Sequence, residues 1–77
     1  MSIQTIVEAA RTKIAAYGGG EQSIGNMFDL AATCGVENED DTFVWLANLG
    51  DALAEEGLQL VSGPGKPQDL YARPAPE

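Results

Sequence analysis

"GVENEDDTFVWLANLG", residues 35–50, decides the fold. Gly35 suits the left-handed position that ends one helix, and Asp40, Asp41 or Thr42 suits the start of the next, where acids complement the positive end of the helix dipole. Between them Glu37, Asn38 and Glu39 read as a solvated, acidic turn. From Phe43 onward the apolar residues come at helical density, and on a wheel Phe43, Leu46, Ala47, Gly50, Leu53 and Ala54 make the expected buried arc. Asp41, Val44, Asn48, Asp51 and Glu55 lie opposite, with Trp45 and Glu56 at the margin.

Upstream, Ser2 can cap a helix over residues 3–17, whose Ile3, Ile6, Val7, Ala10, Ile14 and Tyr17 recur on one face. Gly18, Gly19 and Gly20 stop it. The triplet lacks the spacing and neighbours of a phosphate-cradling loop. Ser23 is the cap candidate for a second helix of roughly eleven residues, marked by Ile24, Met27, Phe28 and Ala31 and closed by Gly35. Gly25 weakens its first turn by up to about 1 kcal/mol relative to Ala. Downstream of Gly57, "LQLVS" (58–62) and "QDLYAR" (68–73) flank the turn-forming "GPGKP" and predict a β-hairpin. The expected class is mainly α with a C-terminal β-hairpin: a single domain over 1–73 and an extended tail over 74–77 carrying Pro74 and Pro76.

Charge is the outstanding global feature. Twelve acids stand against Arg11, Lys13, Lys66 and Arg73, for a net charge of −8. No basic residue occurs between Lys13 and Lys66, whereas Glu21, Asp29, Glu37, Glu39, Asp40, Asp41, Asp51, Glu55 and Glu56 all fall there. Such a field attracts basic partners and repels nucleic acid, although acidity also serves solubility. The chain has no histidine and one cysteine, so the usual nucleophilic triads and nitrogen or thiolate zinc sites cannot be assembled within it. The carboxylates of "ENEDD" do not follow the D-x-[DN]-x-[DN]-G calcium pattern. The expectation is a protein that is not an enzyme and uses no metal or cofactor. Cys34 reads as a small buried hydrophobe. With no apolar run of membrane-spanning length and no signal-peptide pattern, the expected location is the cytoplasm.

Three helices followed by a hairpin resemble a winged helix-turn-helix domain, and the likeness extends to particular residues. "LAATCGV" (30–36) is similar to the end of that family's second helix and its turn. "FVWLANLGDALAEEGLQLV" (43–61) is similar to its third helix running into the first wing strand, with the L-x-x-x-G-L pattern before the strand, and "GPGKP" stands where the wing tip would be. The turn is about two residues longer than the family's common spacing. The chemistry departs further, because a DNA-reading helix carries Arg, Lys, Asn or Gln toward bases and cations toward phosphates. Here the corresponding side offers Asp40, Asp41, Val44, Asn48, Asp51 and Glu55, of which only Asn48 suits a base edge.

These readings place a partner-binding surface on Glu37, Glu39, Asp40, Asp41, Trp45, Asn48, Asp51, Glu55 and Glu56. Trp45 has two roles open to it: core, or the centre of an apolar strip with Val44, Leu49 and Ala52 that a foreign partner or a second copy could cover. In size, charge and fold type the chain resembles small acidic phage proteins of the anti-CRISPR kind. That resemblance implies a non-enzymatic inhibitor, acting in the host cytoplasm, whose carboxylates imitate DNA and dock on the basic surface of a CRISPR effector or another nucleic-acid-binding protein. The alternative is a winged-helix transcription regulator, or an assembly subunit using the same fold for DNA or protein contacts. Direct nucleic-acid binding is disfavoured by the charge.

Overall fold

The structure is a computed structural model that describes residues 1–76. Three helices, α1 (Ile3–Ala16), α2 (Met27–Thr33) and α3 (Glu39–Glu55), pack with three strands, β1 (Gln22–Asn26), β2 (Leu58–Gly63) and β3 (Lys66–Pro74). The strands form one antiparallel sheet in the order β1-β3-β2. The architecture is thus α+β, with β3 central and one strand more than the sequence suggested.

The extra strand takes the place of the first turn expected for the second helix. Gly25 has φ of +127°, a conformation that no helix contains and that L side chains rarely adopt. Ser23 therefore caps nothing; it pairs with Tyr71 in the sheet, and the register shifts between Ser23 and Gly25 before Gly25 pairs with Leu70. Asn26 is the true cap, its Oδ1 accepting from the backbone N–H groups of Phe28 and Asp29 at 2.9 and 3.3 Å. The helix it starts has only seven residues.

The turn after α2 follows the expected chemistry. Gly35 has φ of +86°; its N–H donates to Ala32 O at 3.0 Å and the N–H of Val36 to Ala31 O at 2.9 Å. This pair of bonds satisfies carbonyls that the helix end would otherwise leave free. Asn38 then caps α3, two residues before the earliest cap expected, with Oδ1 accepting from Asp40 N at 2.9 Å. Glu39, Asp40 and Asp41 all lie in the first helical turn.

The phase of α3 is the largest correction. Its buried residues are Thr42, Trp45, Leu49 and Leu53, whereas Phe43 is 58% exposed and Ala47 and Ala54 are exposed too. Leu46 and Gly50 are half-buried, at the edge of the arc rather than its centre. Compared with the expected arc, the helix is turned by about one residue, or about 100°. Small and apolar residues run most of the way round this helix, so two phases are nearly equivalent on a wheel. The observed phase buries the indole of Trp45 together with Leu49 and Leu53 and leaves one phenyl ring outside, which removes more apolar area from water than the reverse.

The core joins these side chains to Ile6, Val7, Ala10 and Ile14 of α1, Met27 and Ala31 of α2, and Leu58, Leu70 and Ala72 of the sheet. Cys34 packs against it, half-buried. Tyr17 lies beyond α1 and is exposed, and Phe28, expected on the inner face of the second helix, is 46% exposed. β2 and β3 pair from Leu58–Pro74 to Gly63–Lys66. Pro74 therefore belongs to β3, not to a tail, and the N–H of Ala75 donates to Gly57 O at 2.9 Å. Of the expected tail, Glu77 lies outside the described residues.

Candidate functional site

On a helix of 3.6 residues per turn, Asp40, Val44, Ala47, Asp51 and Glu55 fall along one line, with successive members three or four residues apart. All five are exposed, and the line lies opposite Leu49 and Leu53. Asp41 and Asn48 flank it on one side and Phe43 on the other, all exposed. The cap by Asn38 and the turn at Gly35 hold its N-terminal end, and burial of Trp45, Leu49 and Leu53 fixes which way it faces. Glu37 and Glu39 extend the acidic surface into the turn before the helix.

Seven of the nine expected site residues thus lie on one continuous region: Glu37, Glu39, Asp40, Asp41, Asn48, Asp51 and Glu55. Two do not belong to it. Trp45 is 5% exposed and sits in the core, so it offers no surface to a partner or to a second copy, and the apolar strip expected around it is not there, since Leu49 is fully buried. Its indole Nε1–H is buried without a hydrogen-bond partner among the described residues. Glu56 is the C-terminal cap of α3, and its Oε2 lies 3.2 Å from Arg11 Nη1, so it faces α1 rather than the acidic line.

The structure adds Phe43, 58% exposed, beside Val44, which the wheel already places outside the buried arc and which is 62% exposed. An apolar pair adjacent on the chain, standing among carboxylates, is a different surface from a plain row of acids. The sequence held a signal for it: once Asn38 is taken as the cap and Trp45 as the anchor of the inner face, Phe43 joins Val44 outside the core.

The spacing of the charges limits what they can imitate. Asp40 and Glu55 are about 22 Å apart along the axis, and Asp41 and Asp51 about 15 Å. A DNA strand would present roughly four phosphates over that 15 Å, at about 3.4 Å each. Here the interval holds Phe43, Val44, Ala47 and Asn48 instead. The face is acidic at both ends and apolar or neutral in the middle.

No basic side chain interrupts this region, because α3 and the turn before it contain none. Among the described residues no group of three or more His, Cys, Asp or Glu is placed to hold a metal ion, and no helix is long and apolar enough to cross a membrane. Fold and face together define a small α+β domain with an acidic, apolar-centred helix surface. No protein-family model, curated protein or solved structure matches the chain.

Proposed function

We propose that the protein is a non-enzymatic binding module that docks the outward face of α3 on a basic surface of another protein, and that its fold is a variant of the winged helix. The order of helices and strands, with β3 between β1 and β2 and a Gly- and Pro-containing turn at the hairpin, supports the fold assignment. The observation that carries the function is the composition of the face: Asp40, Asp41, Asp51 and Glu55 exposed around an exposed Phe43 and Val44. Carboxylates give long-range attraction and orientation, and desolvated apolar contacts at the centre of an interface supply most of the lasting affinity. A surface that binds nucleic acid in its own right, such as the channel of a CRISPR effector, carries the opposite charge, and occupying it would inhibit by competition. In this reading the helix imitates DNA in sign and place, and Phe43 and Val44 add an anchor that DNA does not have.

The test compares wild type with Asp51→Lys/Glu55→Lys as baits in bacterial lysates containing CRISPR effectors and restriction enzymes. These two positions avoid the first turn of α3, where Lys would oppose the dipole; Lys at position 55 favours it. The expected result is a captured nucleic-acid-binding protein that wild type displaces from DNA and the reversed variant does not bind, with capture weakening as salt rises. Equal capture by both proteins refutes the reading. So does saturable submicromolar binding of duplex DNA to the wild-type protein itself.

A further inference from the structure

An open groove of about 700 Å³ runs between α2 and α3, beside the turn that joins them. Phe28, Ala32 and Val36 contribute apolar lining, and Glu37 and Glu39 contribute carboxylates. Among the described residues no Lys or Arg lines it. Thr42 also lines the groove, but its Oγ1 donates to Asn38 O at 3.2 Å. Phe28 is the one aromatic ring in the lining and is 46% exposed. An exposed ring beside two carboxylates, over small apolar residues, is a binding environment for a flat cation on an apolar stem.

We infer that this groove takes an arginine side chain of the partner protein, as a second anchor of the docking on α3 beside Phe43 and Val44; the inference rests on that reading of α3. A guanidinium can stack on the ring of Phe28 and present its N–H fork to Glu37 and Glu39, while its methylene stem lies against Ala32 and Val36. Lysine matches the charge but not the plane, and its ammonium holds water more strongly. The start of α3 adds roughly half a positive charge, which would favour an anion. Glu37, Glu39, Asp40 and Asp41 outweigh it several-fold, so the groove attracts cations. The adjacent Gly35 leaves open space, with no atom near the position a Cβ would take, so access to the groove is unobstructed there.

The experiment is an amide NMR titration of the full chain with a capped Ala-Ala-Arg-Ala-Ala peptide and its lysine and citrulline counterparts. The arginine peptide is expected to give saturable shifts at Phe28, Ala32, Val36 and Glu37. Its Kd should be about threefold to fivefold below that of the lysine peptide, the difference expected for a stacked guanidinium, and citrulline should give no saturable shift. Phe28→Leu, which keeps bulk and removes the π face, should erase the preference for arginine, and Glu37→Gln/Glu39→Gln should weaken both cationic peptides. Equal affinity for arginine and lysine, or shifts confined to Asp51 and Glu55, overturns the inference. Asp51→Lys/Glu55→Lys separates the two claims: loss of partner docking in that variant, with no arginine preference in wild type, sinks the groove and leaves the α3 reading. An arginine preference in wild type together with unchanged partner capture by that variant sinks the α3 reading, and it overturns the inference with it, because the groove then binds arginine without anchoring a docking on α3.

Discussion

Replacing Phe43 or Leu49 by Ala distinguishes the two phases that α3 could have adopted. Phe43 is 58% exposed and Leu49 fully buried. A phenylalanine buries about 200 Å² when wholly enclosed, so the shielded part here is about 80 Å², or about 2 kcal/mol at 25 cal/mol per Å². That figure is a ceiling, because an unfolded chain already shields some of this area and Ala is the better helix former by about 0.5 kcal/mol. The expected cost of Phe43→Ala is therefore about 1 kcal/mol or less. Leu49→Ala empties a site in the centre of the core and should cost about 2–5 kcal/mol. Against a total stability of about 4–12 kcal/mol for a chain of 77 residues, the second change takes a large share and the first a small one. Urea unfolding followed by Trp45 fluorescence and by far-UV circular dichroism measures both. If Phe43→Ala proves the more damaging, α3 is rotated from the position described, and its acidic face with it.

Trp45→Phe should stay within about 1 kcal/mol of wild type, since the smaller ring loses contacts but also removes a buried N–H that has no partner, whereas Trp45→Ala should cost about 3–5 kcal/mol. Equal losses in thermal melts would mean that the indole N–H is hydrogen-bonded. Gly63→Ala should destabilise by about 1–3 kcal/mol, because a Cβ there would lie 3.0 Å from Tyr71 Cε2 and 3.2 Å from Lys66 O; an unchanged melting temperature would argue against this packing of the hairpin end. Asn38→Ala removes the cap of α3 and should cost about 0.5–2 kcal/mol, while Glu39→Ala next to it should cost less, and the reverse order in urea midpoints would return the helix start to Asp40 or beyond. Asp51→Lys/Glu55→Lys should fold with stability within about 0.5 kcal/mol of wild type while losing partner binding; unfolding of that variant would show that these carboxylates serve the fold.

Local chemistry made several of these features legible. Ser2, Gly35 and Gly57 mark helix ends by side-chain capping or by positive φ, both properties of a residue and its immediate neighbours. The start of the second helix is not legible, because a strand of five residues with one half-buried isoleucine carries no period of its own, and only pairing with β3 makes it a strand. Gly25 was the local sign against a helix there.

By itself the sequence determined the number of helices, the two segments that become β2 and β3, the acidic stretch from Glu37 to Glu56 and the lack of histidine in the chain, because each depends on composition or on bonds within a few residues. The outward position of Asp41, Val44, Asn48, Asp51 and Glu55 was legible as well, and only the tertiary structure decided the phase of the inner face of α3. Its inner face is chosen by the total area buried against α1 and the sheet, a sum over distant partners, and that sum drew Trp45 inward, turned Glu56 to Arg11 and left Phe43 in solvent beside Val44 among the carboxylates.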